Sequence, residues 1–161
     1  MDDSFAQLEI LYRETAPALL AYFRRQPALA GLAEDLVQDT FARALRQSRN
    51  LRAAVTPRAY LFGIARHVGL DALRMLHPTP PLPADFAAPS VASEDDRLDA
   101  LRTAIGALSE PHRETLLLRL QHDLSYAEIA EILDVPVGTV RSRLHHAVLA
   151  LRATLNPPAR L

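Results

Sequence analysis

The stretch Leu124–Ala147, LSYAEIAEILDVPVGTVRSRLHHA, predicts two short helices joined by a tight turn. Ser125 followed by Glu128 is the pattern of a capping box at the start of the first helix. Pro136 disfavours helix in the residue before it and is expected at the first position of the next helix. The pattern is typical of a helix-turn-helix, whose second helix enters the major groove of DNA. An ordinary helical hairpin is the weaker alternative.

The second of these helices has one apolar and one polar side. At about 100° per residue, the side chains expected to pack inward are Val140, Leu144, Ala147, Val148 and Leu151. Short hydrogen-bonding groups flanked by arginines suit base edges in the middle of the outward side and phosphates at its margins. The candidate DNA-reading residues are Thr139, Arg141, Ser142, Arg143, His145 and His146.

Composition narrows the class of protein. The chain has 161 residues, no cysteine and only 5 glycines, so no disulfide framework or thiolate metal site is expected. It has neither a long apolar run nor a signal-peptide pattern, which predicts a soluble, cytoplasmic protein without membrane insertion. The net charge is −1, and all 18 basic residues are arginine. A DNA-binding protein without net positive charge is expected to gain affinity from a partner.

The helical patterns are interrupted by one proline-rich segment. Residues 4–25, 32–48 and 57–75 have helical periodicity, and Pro17 is expected to kink the first helix or mark a boundary. Residues 78–93 contain five of the twelve prolines and have no helical period. Further helices are expected at 94–107 and 112–121. We therefore predict an all-α fold with two small helical domains, 1–77 and 94–161, joined by the linker 78–93.

With both domains defined, the chain resembles the bacterial sigma factors of the extracytoplasmic-function (ECF) group. Residues 108–147, which contain SYAEIAEIL and GTVRSRL, resemble the group's second conserved domain. DLVQDTFARAL (Asp35–Leu45) resembles the segment that docks on core RNA polymerase. PRAYLFGIARHVGLDALR (Pro57–Arg74) resembles the promoter-opening helix. Many regulators contain a helix-turn-helix, but here three motifs follow the family's order.

The resemblance implies a function in transcription initiation. Such a factor is not an enzyme and needs no cofactor. It binds the β′ and β subunits of core RNA polymerase, reads the −35 element with its second domain and opens the −10 element with its first. An anti-sigma factor commonly inhibits it, and we expect a monomer when it is free. Two alternatives stay open: a free-standing helix-turn-helix regulator, and a non-initiating competitor for polymerase or an anti-sigma factor.

The resemblance also implies a docking surface. Asp35, Gln38 and Asp39 have the spacing i, i+3, i+4 and share one helix face. In the family this face contacts a coiled-coil element of the β′ subunit, which would supply complementary charge. A helix face that is merely solvated is the alternative.

Promoter opening requires arginines for phosphates and aromatic rings for unstacked bases. The −10 candidates that the resemblance implies are Arg49, Arg52, Arg58, Tyr60, Phe62, Arg66, His67 and Arg74. For Phe62, a place in the core is the stronger alternative. The family usually has tryptophan at Tyr60, asparagine at His67 and arginine at His146. A histidine at position 146 predicts a weaker, pH-sensitive phosphate contact.

Neither metal binding nor catalysis is expected. His145 and His146 are adjacent and therefore point about 100° apart on a helix, whereas a helical metal pair needs i, i+4 spacing. The sequence shows no nucleophile–base pair and no phosphate-binding glycine loop.

Overall fold

The computed structural model describes residues 3–47, 54–77 and 96–156, and within these ranges it contains helices and no strand. The all-α prediction is thus confirmed. The α-helices are α1 (Asp3–Arg24), α2 (Ala33–Arg46), α3 (Pro57–Leu76), α4 (Asp96–Gly106), α5 (Glu110–His122), α6 (Tyr126–Leu133) and α7 (Val137–Leu155). A 3-10 helix, Ala30–Leu32, precedes α2. Contacts divide the chain into a first unit with α1 to α3 and a second with α4, α5, α6 as far as Ala130, and α7.

In the first unit, three helices pack against one another around an aromatic and aliphatic core. Its fully buried large side chains are Leu19, Phe23, Leu29, Leu61, Phe62 and Val68. Helix α3 begins at Pro57, and the Thr56 hydroxyl caps it by accepting a hydrogen bond from the Ala59 N–H at 3.1 Å. Helix α1 is continuous through Pro17, so this proline marks no boundary. The helical pattern predicts Leu45 on the inward side of α2, and this prediction was wrong, since Leu45 is 50% exposed.

In the second unit, α4 and α5 pack against α7. The inward face predicted for α7 is correct for Val140, Leu144 and Ala147, which are buried, and Leu151 is half-buried. The prediction was wrong for Val148, which is 39% exposed. Val148 lies about 80° from Val140 around the helix, at the margin of the buried stripe.

The predicted capping box is present at the start of α6. The Ser125 N–H donates to Glu128 Oε2 at 2.8 Å, and the Glu128 N–H donates to Ser125 Oγ at 3.2 Å. The helix ends at a turn in which Asp134 has a φ of 52°. Pro136 is extended and is the N-cap of α7, one position before the helical position expected for it. Its carbonyl accepts the Thr139 N–H at 2.9 Å, which starts the helix.

Replacing Ser125 with alanine should lower the free energy of unfolding by about 1 kcal/mol, because an N-terminal N–H of α6 loses its acceptor. Urea unfolding of the full chain measures this change. Ser109→Ala is a matched control, since Ser109 is the N-cap of α5 without a side-chain cap bond. Equal losses in the two variants would mean that the Ser125 hydroxyl does not stabilise the helix.

Candidate nucleic-acid and polymerase interfaces

Helix α7 exposes its polar residues to solvent on one side and packs its apolar residues against the core on the other. Arg141, Ser142, His145 and His146 are exposed, while Thr139 and Arg143 are half-buried. The opposite side of the helix is the buried stripe of Val140, Leu144 and Ala147. The helix can therefore approach DNA without disturbing its own packing. All six predicted DNA-reading residues are brought together on or beside one accessible face.

Two histidines and a serine of this face form a cluster with a third histidine, which belongs to α5. Ser142 Oγ lies 3.3 Å from His146 Nδ1, one helical turn further along. The ring of His146 stacks on that of His112 in α5, with centroids 5.8 Å apart and planes 27° apart. The His145 ring meets the His146 ring edge-on at 5.7 Å. No local pattern in the sequence of α5 predicts that His112 meets α7.

Two arginines of α5 support the loops rather than the polar face of α7. Arg119 Nη1 donates to the Leu124 carbonyl at 2.9 Å, and its guanidinium carbon lies 5.8 Å from the centroid of the Tyr126 ring. Arg113 Nη1 donates to the Gly106 carbonyl at 2.9 Å, at the end of α4. These contacts attach α5 to the end of α4 on one side and to the loop before α6 on the other. Sequence reasoning assigned neither arginine a role.

A shallow groove lies between the start of α6 and the outer side of α7. Its apolar lining includes Tyr126, Val148 and Leu149, and its arginines are Arg141 and Arg152. Val148 is therefore part of an accessible surface instead of the core. The sequence did not predict this groove, because helical periodicity places Val148 on the inward side of the helix.

The predicted docking face of α2 is accessible. Asp35 and Gln38 are exposed and Asp39 is half-buried. The apolar side of the same helix is turned inward, with Leu36, Val37, Thr40, Phe41 and Ala44 buried. Asp39 Oδ2 lies 3.1 Å from Arg43 Nη2, which leaves Asp35 as the more exposed carboxylate of the face.

An ion pair joins α2 to α3 beside this face. Arg43 Nη1 donates to Asp71 Oδ2 at 2.9 Å. This hydrogen bond is the main cause that lowers the pKa of Asp71 below its usual value of 3.8, and it also raises the pKa of Arg43. Since a salt bridge stabilises the ionised carboxylate, the pair contributes to stability only while Asp71 is charged.

Asp71→Asn should therefore reduce stability slightly at neutral pH and have no effect in strong acid. The pKa of Asp71 is lower in the folded state, so its contribution is present above the ordinary pKa and is lost as pH falls through the folded one. Because both side chains are more than a third exposed, the effect should be about 1 kcal/mol or less. Thermal unfolding at neutral and acidic pH measures it. Glu9→Gln, which breaks an exposed pair within α1, is the control; an identical pH dependence in both variants would contradict the prediction.

The −10 candidates on α3 lie on two sides of the helix. Tyr60, His67 and Arg74 are spaced by seven residues and therefore form one stripe, opposite the buried side. Tyr60 is half-buried, which raises its pKa, and its hydroxyl donates to the Gln47 carbonyl at 3.0 Å. His67 and Arg74 are exposed, and Arg74 lies 3.5 Å from Asp71.

The remaining candidates on α3 lie toward the core. Phe62 is 1% exposed and meets Tyr22 edge-on at 5.7 Å, so its ring has no face open to a base. This burial corrects its assignment to the −10 set. Arg58 covers Phe62 with its guanidinium carbon 5.7 Å from the ring centroid, and Arg66 is half-buried. Arg49 and Arg52 lie outside the described residues.

None of the described helices is both long and apolar enough to cross a membrane. Across residues 3–47, 54–77 and 96–156, no three side chains of the metal-binding types come together as a possible site.

The fold and these surfaces define a helical DNA-binding protein with a helix-turn-helix in its second unit. Residues 11–77 match the family model for Sigma-70 region 2, and residues 98–151 match that for Sigma-70 region 4. The chain belongs to the ECF group of RNA polymerase sigma factors. It is thus a transcription initiation factor, which directs RNA polymerase to promoters through regions 2 and 4.

Individual relatives agree with this family. The chain is 35% identical over 159 residues to the ECF sigma factor SigL of Mycobacterium tuberculosis, covering 93% of this chain and 89% of SigL. It is 37% identical over 134 residues to a probable sigma-C factor of Mycobacterium bovis, covering 79% and 72%. Among solved structures, RpoE of Bartonella quintana, in complex with the anti-sigma factor NepR, matches with a TM-score of 0.68 and 25% identity. That match covers 94% of this chain and 98% of RpoE.

Proposed function

We propose that this sigma factor divides promoter recognition between its two helical units. Residues 1–77 dock on core polymerase and open the −10 element, residues 94–161 read the −35 element, and residues 78–93 link them. The single observation that carries the proposal is the outer face of α7. There, arginines and short hydrogen-bonding groups stand opposite a buried stripe, which is the arrangement that major-groove reading requires.

In this proposal, each part of the α7 face has its own task. Arg141 and Arg143 bind phosphates or the O6 and N7 atoms of guanine. Ser142, His145 and His146 hydrogen-bond to base edges between them. Thr139, half-buried at the start of the helix, contacts the DNA backbone at the margin.

On α3, the stripe opposite the core is the surface that we assign to the separated −10 strand. Tyr60 offers a ring for stacking, His67 a hydrogen bond and Arg74 a positive charge. Arg58 and Arg66, which are half-buried toward the core side, can neutralise phosphates with their guanidinium groups, while Phe62 supports the helix from the core. Arg49 and Arg52 stay in the set as predictions from sequence.

Docking on polymerase uses the polar face of α2, where Asp35, Gln38 and Asp39 meet the β′ subunit, with a further contact to β. Complementary charge on the β′ coiled coil would favour this contact. The factor acts in the cytoplasm, as a monomer when free, and opens DNA by binding, without enzymatic chemistry of its own. Its net charge of −1 supports a division of labour in which polymerase supplies most of the general DNA affinity.

Inhibition by an anti-sigma factor is part of the proposal. It is supported by the fold shared with RpoE, which was solved with the anti-sigma factor NepR. If such a partner exists, the factor isolated from uninduced cells will be inactive with core polymerase and will become active when the bound protein is removed.

Transcription in vitro with purified core polymerase and genomic promoter fragments tests the function. We expect specific start sites only when core polymerase and the factor are both present. Specific operator binding without core polymerase would instead favour a free-standing regulator. Core binding without initiation would favour a competitor for polymerase.

A further inference from the structure

The contact between Ser142 and His146 couples a hydroxyl on the DNA-facing side to a titratable ring. Their atoms Oγ and Nδ1 are 3.3 Å apart, and both residues are exposed. A hydroxyl can donate one hydrogen bond and accept others, and a histidine nitrogen accepts when bare and donates when protonated. The hydrogen on Nδ1 therefore decides which partner donates in this pair, and Nδ1 is bare only in the neutral tautomer that carries its hydrogen on Nε2.

We propose that His146 is a specificity-determining residue that sets the hydrogen-bonding polarity of Ser142 toward the −35 element. The inference rests on the proposed function, in which the outer face of α7 reads DNA. When Nδ1 is bare, the Ser142 hydroxyl donates its hydrogen to Nδ1, and Oγ can only accept a hydrogen bond from the base. When Nδ1 carries a proton, it donates to Oγ, and the serine hydrogen is released toward the DNA.

The two states of Ser142 suit different base edges. An Oγ that accepts can bind cytosine, because the only hydrogen-bonding group of cytosine in the major groove is its N4 amino group, which donates. A donating hydroxyl suits guanine, whose O6 and N7 atoms are both acceptors. The preference between cytosine and guanine at the contacted position should thus follow the charge of His146. The imidazolium also adds one positive charge to the face, so overall affinity should rise as pH falls.

The groups around His146 are mainly basic. On α7 these are Arg143, three residues earlier, and His145, whose ring is 5.7 Å away. On α5, the stacked ring of His112 is 5.8 Å away, and the charged residues within two positions of it in sequence are Glu110, Arg113 and Glu114.

Helix α4 also packs against α7 and carries four charged residues. They are Asp96, Arg97, Asp99 and Arg102. Asp99 and Arg102 are paired with each other at 3.1 Å, so this helix contributes a largely balanced set of charges. The pH response of the face should therefore come from its histidines, whose side-chain type changes charge between about pH 5 and 8.

The test uses polymerase holoenzyme containing the full chain and promoter fragments in which each −35 base pair is exchanged between G·C and C·G. Binding of the two versions is compared at the same pH, so that general effects of pH on polymerase cancel in the ratio. From about pH 8.5 to 5.5, the preference at one position should shift toward guanine by about fivefold, the equivalent of one hydrogen bond.

Three variants identify the source of the shift. His146→Gln should make the ratio independent of pH, and His146→Arg, a constant donor, should show the low-pH preference throughout. His77→Gln is the control, since it removes an exposed histidine of the first unit that belongs to neither predicted DNA-reading set, and it should retain the shift. A ratio that does not change with pH in the native factor, or one that still changes in His146→Gln, would overturn the inference.

Failure of this inference can be distinguished from failure of the proposed function. If Arg141→Ala leaves all −35 discrimination intact at every pH, the outer face of α7 is not the reader, and the proposed function fails. If discrimination depends on Arg141 but no base preference changes with pH, only the role of His146 is wrong.

Discussion

Replacing Arg141 and Arg143 together with alanine should abolish initiation at −35-dependent promoters while assembly with core polymerase is unchanged. Each arginine contact to guanine contributes about 1–3 kcal/mol of discrimination. The loss of two contacts should therefore weaken promoter binding by about thirtyfold or more. Neither residue belongs to the buried stripe of α7, so the fold should persist. Substitutions of this kind usually change stability by about 0.5 kcal/mol or less.

Two measurements separate reading from assembly in this variant: run-off transcription from a −35-dependent promoter, and affinity for core polymerase. Arg102→Ala is the control, because it removes a positive charge from α4 in the same unit, outside the predicted DNA-reading residues of α7. If the control lost as much activity, the defect would reflect net charge instead of groove contact. Full activity of the double variant would exclude the face as the −35 reader.

Features specified by local chemistry could be predicted from the sequence. The capping box at Ser125 and Glu128 needs only a serine and a glutamate three residues apart, and both of its hydrogen bonds are present. Pro57 similarly marks the start of α3. The position of Pro136 was wrong by one residue, because a proline that precedes a helix and one that opens it satisfy the same local rules.

Features that depend on how helices pack could not be predicted. Leu45 lies only about 40° beyond Phe41 around α2, yet it is 50% exposed while Phe41 is buried. Periodicity identifies the centre of a buried face but not its margins. The stacking of His112 on His146 joins residues of two helices, 34 positions apart in the chain. No local pattern signals such a contact.

The division of the −10 candidates has the same origin. Resemblance identifies the residues of α3 that match a motif, but burial decides which of them can reach DNA. Phe62 is enclosed by the core, whereas His67, five residues later, is exposed. A motif position alone therefore does not establish a contact. Among the described candidates on α3, burial removes Phe62 from the set.

Replacing Asp35 and Asp39 together with alanine should weaken binding to core polymerase by about tenfold or more, since two charges of the docking face are lost. The DNA-reading helix is in the other unit, so its contacts should be unaffected. The fold should also persist: Asp39 pairs with Arg43, but Arg43 keeps its 2.9 Å bond to Asp71. Reduced affinity would therefore report docking and not unfolding.

The control for this variant removes the same charge from the same unit. Glu9→Ala combined with Glu14→Ala removes two exposed carboxylates from α1 and should leave polymerase affinity unchanged. Fluorescence anisotropy measures the affinity, and circular dichroism checks the helical content. If the α2 variant bound core polymerase as tightly as the native factor, the polar face of α2 would be only a solvated surface. The charge reversal Asp35→Arg should weaken polymerase binding more than the alanine substitutions do. Repulsion from the complementary, positively charged surface of β′ is then added to the lost attraction.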